Sequence, residues 1–166
     1  MYFDNINKNK LSREIMDASE YAKIINNIAV FKGLSPKNLE RLVGVCTRVT
    51  YEEDDNVLEA NKPGEEILIV LTGRLAVVGD AGETLALIDP GLCVGEMAVF
   101  TKRNRSANVN SVMNTEVLKL HKDDLFTFVE EEPVAGNIVY RNVIEILSSH
   151  MANNNLLMEF SHMLDG

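Results

Sequence analysis

The chain is poor in the residues that build cross-linked or metal-held scaffolds. It has two cysteines, three histidines and no tryptophan in 166 residues. Cys46 and Cys93 lie far apart and match no metal-ligand spacing, and the histidines match none either. We therefore expect no metal site and no cofactor, and we interpret the cysteines as two buried, reduced thiols of a cytosolic protein.

A catalytic arrangement is missing as well. Ser148-Ser149-His150 lies in a helical pattern, and no carboxylate stands at the spacing of a hydrolase triad. No other nucleophile has a base at a suggestive distance along the chain. The sequence therefore predicts no catalytic residue and no enzymatic activity.

Long apolar runs and an excess of positive charge are also absent. No run approaches the roughly 20 residues of a membrane-spanning helix, and Met1–Lys10 lacks the apolar core of a signal peptide. The 16 Lys and Arg against 25 Asp and Glu give a formal net charge of −9. Such a surface does not attract nucleic acid or anionic lipid as a whole, although it is compatible with one local positive pocket. We expect a cytoplasmic chain with no membrane partner.

Apolar spacing divides the chain into a helical part, a strand-rich part and a second helical part. Leu11–Val30 has apolar residues every three or four positions, and Ser35-Pro36 is typical of the N-cap and first residue of another helix. From Thr47 to Leu120 the apolar runs are short and separated by turn signals. The predicted strands are Ile67–Leu71, Leu75–Val78, Thr84–Ile88, Ala107–Val112 and Glu116–Leu120. Strands this short at this spacing indicate a β-sandwich or a β-barrel.

Helical spacing returns after Leu120. A short helix is predicted around Leu125, and Pro133 opens a longer one. An apolar stripe with heptad spacing and one polar position runs along the longer helix. Its members are Tyr140, Ile144, Leu147, Met151, Asn154 and Met158. We expect the first part of the stripe to pack on the barrel of the same chain; from Met151 onward, packing within the chain and a homodimer through this helix both stay open.

The segment after the third predicted strand carries the most chemical information. Gly95-Glu96 is followed by Met97–Phe100, which can make one helical turn whose N–H groups and positive dipole end suit a phosphate. Arg105 lies nine positions after Glu96 and is expected to begin the next strand and fold back over that turn. Its guanidinium can then donate a fork of hydrogen bonds to phosphate oxygens.

Two more side chains complete this constellation. Ser106 adds a hydroxyl donor, whereas Glu96 would repel a phosphate and has a sugar hydroxyl as its natural partner. A carboxylate acceptor, free backbone N–H groups and an arginine fork are together the groups that would bind a ribose-phosphate ring. The alternative is an ion pair between Glu96 and Arg105 that has only a structural role.

This segment resembles the phosphate-binding cassette of the cyclic-nucleotide-binding domain superfamily, which includes bacterial catabolite activator proteins, protein kinase A regulatory subunits and cyclic-nucleotide-gated channels. The family's cassette has the form Phe-Gly-Glu-Leu-Ala-Leu, a short loop, then Arg-Ala/Ser/Thr-Ala-x-Val. This chain has Val94-Gly95-Glu96-Met97-Ala98-Val99 and Arg105-Ser106-Ala107-Asn108-Val109. The chain resembles the family at three further segments, Phe31-Lys32-Gly33-Leu34-Ser35, Pro63-Gly64-Glu65 and Leu71-Thr72-Gly73-Arg74-Leu75. The likeness extends over roughly Ile28 to Met158.

The resemblance implies a fold and a domain plan. The fold is mainly β with flanking helices (α+β), a β-barrel or jelly roll with N-terminal helices and a long C-terminal helix. Its parts would be an N-terminal helical segment at 1–30, a barrel at 31–132 with the cassette at 94–109, and the C-terminal helix at 133–166.

The resemblance also implies the ligand and the residues that bind it. Glu96 would accept from the ribose 2′-hydroxyl of cAMP or cGMP, and Arg105 and Ser106 would bind the cyclic phosphate. The full set of implied binding residues is Gly95, Glu96, Met97, Ala98, Arg105, Ser106 and Ala107, with Val77 and Leu85 as apolar walls. For Val77 and Leu85, a place in the plain barrel core is the alternative interpretation.

Two departures from the family limit what the resemblance implies. The Thr-Ser pair with which catabolite activators contact the base falls at Met158-Glu159, which offers no hydroxyl, so the choice of base stays open. Eight residues follow Met158, too few for a helix-turn-helix, and we expect no DNA-binding domain on this chain. The sequence therefore favours a bacterial-type sensor that binds a cyclic nucleotide and signals through its C-terminal helix; the alternative is an interaction or dimerisation protein that keeps the fold without the ligand.

Overall fold

The computed structural model describes the backbone of residues 18–164 and the side chains of residue 21 and residues 23–152. Helix α1 spans Ala18–Ile25, a 3-10 turn covers Ala29–Phe31, and α2 spans Pro36–Val45. The prediction of a helix over Leu11–Val30 is wrong at its end, because two asparagines, which are poor helix formers, follow Ile25. Its predicted start lies outside the described residues.

Helix α2 begins as the sequence predicts. Ser35 has an extended backbone, and its hydroxyl oxygen accepts from the Asn38 N–H at 3.3 Å. Pro36 follows at the first helical position, where no N–H is needed. The predicted cap at Ser35 is therefore confirmed.

The middle of the chain forms strands, with helices around and after them. The strands are β1 Thr47–Tyr51, β2 Asn56–Leu58, β3 Glu66–Thr72, β4 Leu75–Val78, β5 Thr84–Ile88, β6 Cys93–Val94, β7 Asn108–Ser111 and β8 Thr115–His121. Helix α3, Glu96–Thr101, joins β6 to β7, and α4, Lys122–Glu131, and α5, Pro133–Leu164, follow β8. The strands make two antiparallel sheets, sheet A in the order β1-β8-β3-β6 and sheet B in the order β2-β7-β4-β5. This confirms the expected fold class, mainly β with flanking helices and a long C-terminal helix.

Strand β3 shows how one run of apolar residues builds two cores. Its side chains alternate between the faces of sheet A. Leu68 and Val70 face sheet B, in a cluster completed by Tyr51, Leu58, Leu75, Val109 and Val117. Ile67, Ile69 and Leu71 face the helices, in a larger cluster that includes Phe31, Leu42 and Leu125. Sheet A is thus buried on both sides, which is why the run Ile67–Leu71 contains no polar residue.

The strand predictions differ in how well they hold. Leu75–Val78 and Thr84–Ile88 are confirmed by β4 and β5. The predicted strand Ala107–Val112 is shorter, since β7 begins at Asn108, and Arg105 does not begin it. The Arg105 N–H donates to the Lys62 carbonyl at 2.8 Å and its carbonyl accepts from Asn61 at 2.8 Å. These bonds direct the chain before β7 toward the segment that precedes β3.

Helix α5 begins at Pro133, as predicted, and its apolar stripe is largely exposed. The face that packs on the rest of the chain carries Ala135, Val139 and Val143. On the stripe, Ile144 is 61% exposed and Met151 is 66% exposed. The expectation that the first part of the stripe packs on the barrel is therefore wrong for Ile144.

Other stripe members are closer to the core or lie outside the description. Tyr140 meets the Phe100 ring edge-on at 6.5 Å, and Leu147 is half-buried. The side chains of Asn154 and Met158 lie outside the described residues, as does that of Glu159. No helix within residues 18–164 is long and apolar enough to cross a membrane.

Candidate functional site

Gly95 joins β6 to α3 in a conformation that other residues rarely adopt. Its φ is +92°, in the left-handed region. A Cβ at this position would lie 2.6 Å from Nη1 of Arg105 and 3.0 Å from the Glu66 carbonyl oxygen. Glycine is therefore required twice, for its backbone angle and for the close approach of the arginine.

Arg105 is buried directly against this turn. The residue is 7% exposed, and its Nη2 donates to the Glu66 carbonyl at 2.8 Å while Nη1 donates to the Gly95 carbonyl at 3.3 Å. The two backbone bonds that tie Arg105 to Asn61 and Lys62 fix the main chain from which the side chain projects. The structure thus holds a buried guanidinium at the start of α3, where the sequence predicts it.

Carboxylates and ammonium groups surround this arginine. A Glu66 carboxylate oxygen lies 3.9 Å from Nη2 of Arg105, and the other lies 3.3 Å from Nζ of Lys119. Glu65 bonds Lys122 at 2.8 Å nearby. Burial lowers the pKa of Arg105, and Glu66, Glu65 and Glu96 oppose that shift. The arginine keeps its charge when buried because the ordinary pKa of a guanidinium lies far above neutral pH, and the nearby acids oppose the lowering.

Glu96 lies on another side of the same turn. It lines a cavity of about 520 Å³ between the 3-10 turn, β6 and α5, together with Cys93 and His150. Burial raises the pKa of Glu96, while its own backbone N–H, His150 and Arg105 lower it. Because the ion pair of Arg105 is made with Glu66, the alternative of a structural Glu96–Arg105 pair is not what the structure holds.

The first turn of α3 packs tightly on the segment before β3. Ala98 is buried, and a Cβ on Gly64 would lie 2.5 Å from the Ala98 Cβ. Near the end of the helix, the Thr101 hydroxyl donates to the Met97 carbonyl at 2.7 Å. The first N–H groups of a helix have no partner within it, so Met97 and Ala98 can present theirs to an anion.

The remaining predicted residues lie in three places. Ser106 is exposed and Ala107 half-buried, in the segment between Arg105 and β7. Val77 is half-buried against the cluster between the sheets. Leu85 is 58% exposed, and the pairing of Val77 with Ala86 puts it on the opposite, outer face of sheet B. The structure therefore brings Gly95, Met97, Ala98 and Arg105 together and does not bring Leu85 to them.

Sequence reasoning missed Glu66 and Lys119, which complete the charged group around Arg105. Glu66 lies at the start of β3 and Lys119 in β8, and the pairing of these strands joins them. No local motif marks the pair, since it arises from strand register. In the part of the chain that the structure describes, no group of three or more His, Cys, Asp or Glu residues could hold a metal ion.

A comparison with known proteins shows the family to which the chain belongs. The family model described as cyclic nucleotide-binding domain matches residues 48–132, just over half of the chain and including the whole cassette. The chain belongs to the cyclic nucleotide-binding domain family. The resemblance of the chain to that superfamily is thereby confirmed.

Curated relatives of this cyclic nucleotide-binding domain are mostly much longer proteins. It is 28% identical over 122 residues to Glutaminase 1 of Bradyrhizobium diazoefficiens, covering 74% of the chain and 20% of the relative. It is 30% identical over 130 residues to a cyclic nucleotide-gated cation channel of Ictalurus punctatus, covering 74% and 19%. With the cyclic AMP receptor protein of Thermus thermophilus the identity is 25% over 134 residues, covering 78% and 60%. The chain thus spans about a fifth of the first two relatives.

Solved structures share the fold of this cyclic nucleotide-binding domain. A cyclic nucleotide-binding domain from Methylobacillus flagellatus superposes with a TM-score of 0.71 at 24% identity, over 86% of this chain and 83% of that one. The catabolite activator protein of Thermus thermophilus gives 0.69 at 24%, over 80% and 62%. The regulatory domain of Toxoplasma gondii PKA with cAMP gives 0.64 at 22%, over 69% and 45%.

Proposed function

We propose that this domain is a sensor, and not an enzyme, that binds cAMP or cGMP at the turn where β6 meets α3. The observation that carries the proposal is Arg105, a guanidinium 7% exposed and held over the N-terminal end of α3 by carbonyl oxygens. A buried cation at this place suits a phosphate that also accepts from the N–H groups of Met97 and Ala98. Ser106 and Ala107 follow Arg105 and would add a hydroxyl and a further N–H.

Glu96 would connect a bound ligand to helix α5. Its carboxylate borders the cavity that His150 also lines, so it stands between the cassette and the helix. A ribose hydroxyl that donates to Glu96 would reposition this carboxylate, and with it the negative charge that faces α5 across the cavity. A ligand shifts the position of α5 only as far as it binds one position better than the other.

The test is isothermal titration of ligand-stripped protein with cAMP and with cGMP. We expect at least one of them to bind, and Arg105→Ala to weaken binding by about 2–5 kcal/mol, or roughly 30- to 5,000-fold in Kd. Arg74→Ala is the matched control, because Arg74 pairs with Asp89 at 2.6 Å outside the cassette. Absence of binding by the folded wild-type protein would remove the proposal, and unchanged affinity of Arg105→Ala would remove Arg105 from its role.

The exposed stripe on α5 favours a second candidate function, an interaction or dimerisation protein without a ligand. Ile144 and Met151 present apolar side chains to solvent on a long helix, which is the feature expected of a helical dimer seam. Thermal unfolding with a nucleotide panel separates the two functions, since binding to the native state alone raises the midpoint. Self-association with no nucleotide-dependent shift would favour the second function.

A further inference from the structure

The carboxylate of Glu66 stands beside the buried arginine without bonding it closely. Its nearest oxygen is 3.9 Å from Nη2 of Arg105, beyond hydrogen-bond distance, whereas the main-chain carbonyl of the same residue accepts from Nη2 at 2.8 Å. The arginine is therefore positioned by main-chain oxygens of Glu66 and Gly95. Replacing the Glu66 carboxylate by an amide leaves both of those bonds in place.

The Glu66 carboxylate places a negative charge beside the guanidinium to which, by the proposed function, a phosphate binds. The side chain is 20% exposed and is shared between Arg105 and Lys119. At a shielded position charges act more strongly on each other than they do in water. An anion that approaches the guanidinium of Arg105 is therefore repelled by Glu66, in proportion to the charge that the anion carries.

We infer that Glu66 is a selectivity residue, which makes the pocket favour phosphodiesters with one negative charge over phosphate monoesters with two. The inference rests on the proposed function and deepens it. A cyclic nucleotide carries a single charge at its phosphate, while a nucleoside 5′-monophosphate carries nearly two above its second pKa of about 6. The repulsion from Glu66 is twice as large for the monoester, so Glu66 works against the hydrolysed, linear form of the ligand.

The decisive variant is Glu66→Gln, titrated at pH 8 and low salt with cAMP and with 5′-AMP, or with cGMP and 5′-GMP if guanine is the base that binds. We expect the cyclic ligand to bind about threefold tighter and the linear ligand about tenfold tighter, because the relief doubles with the charge. The ratio of the two dissociation constants is the readout that a merely structural role would not move. An unchanged ratio in a folded Glu66→Gln protein would overturn the inference.

Glu116→Gln is the matched control. Glu116 also lies in sheet A, is 19% exposed and pairs with an arginine, Arg48, at 2.5 Å. It is separated from the cassette by the length of β8, so both ligands should keep their wild-type affinities. A change in the ratio equal to that of Glu66→Gln would show that the effect comes from net charge alone and would overturn the inference.

Glu66→Ser removes the same carboxylate with a smaller side chain and is the second variant if Glu66→Gln does not fold. Both ligands should bind more tightly, and 5′-AMP should gain more than cAMP, because the repulsion that is removed acts twice as strongly on two charges. An unchanged ratio of the two dissociation constants in folded Glu66→Ser would contradict the inference. If the wild-type protein binds neither ligand, the proposed function itself is wrong. That result differs from one in which the ligands bind and the ratio of their dissociation constants does not change in the variant.

Discussion

At the scale of single residues, a substitution of Gly95 has two effects, the strain of a left-handed backbone and the crowding of Arg105, which a control glycine can separate. Gly95→Ala forces a left-handed backbone and sets a Cβ 2.6 Å from Arg105. We expect a loss of about 1–3 kcal/mol in the free energy of unfolding, together with a weaker complex because Arg105 is displaced. Gly82→Ala is the control, since Gly82 has a φ of +82° and nothing within 4 Å of its Cβ position. Chemical denaturation and ligand titration of both variants provide the measurement; equal losses in both would mean that the contact with Arg105 contributes nothing.

Glu96 makes the stability of the ligand-free protein depend on pH. Burial raises its pKa in the folded state above the ordinary 4.5, so the native protein binds this proton more tightly than the unfolded chain does. Stability from this group is therefore present below pH 4.5 and is lost as the pH rises through the folded-state pKa. We expect Glu96→Gln to unfold at a higher temperature than the wild type at pH 7 and to bind cyclic nucleotide more weakly. The difference between the two proteins should shrink toward pH 4.5; a difference that does not vary with pH would contradict the assignment.

The residues that could be predicted from the sequence are those whose roles are local. Gly95, Glu96 and Arg105 lie within one short segment, and the structure brings Arg105 against Gly95 as the sequence predicts; their binding of a phosphate stays a prediction. Glu66 could not be found in this way, because the backbone bonds of Arg105 to Asn61 and Lys62 bring the two residues together from far apart along the chain. The sequence could not show that Leu85 lies outside, away from both a pocket and the core, because β5 is apolar on both faces, with Leu85 and Leu87 outside and Ile88 inside. The residue types of such a strand do not show which of its faces is buried, and its register with β4 decides which side chains face the core.

At the scale of elements, prediction succeeded where a segment carries its own signals. Turn residues on both sides define β4 and β5, and Ser35 and Pro133 mark helix starts. Strand β6 has two residues and exists because it pairs with β3, so no periodicity could reveal it. The orientation of α5 also depends on its neighbours, as Asn142 donates to the carbonyls of Val30 at 3.0 Å and Lys32 at 2.8 Å. That anchorage turns Ile144 outward, which the heptad spacing could not indicate.

The exposed stripe of α5 gives a prediction about self-association. If two copies join through it, Ile144→Glu buries a charge in an apolar seam and should weaken the dimer by roughly tenfold or more. Ala152→Glu adds the same charge at an exposed position of the helix outside the stripe and should have little effect. Sedimentation velocity over a concentration series measures both. A dimer that tolerates Ile144→Glu would place the interface elsewhere, and a wild-type monomer at all concentrations would exclude this dimer.

At the scale of the whole molecule, the net charge of −9 opposes the compact state. Salt screens this repulsion, since the Debye length falls from about 30 Å at 0.01 M to about 8 Å at 0.15 M. It also weakens exposed ion pairs such as Arg74–Asp89 and Arg41–Glu132, but pairs of this kind contribute only about 0–1 kcal/mol each. We therefore expect the unfolding midpoint at pH 7 to rise when sodium chloride is increased from 10 to about 150 mM. The rise should diminish as the pH approaches the isoelectric point of about 4.8, where there is little net charge to screen. A midpoint that falls with salt at pH 7 would mean that the ion pairs outweigh the net repulsion.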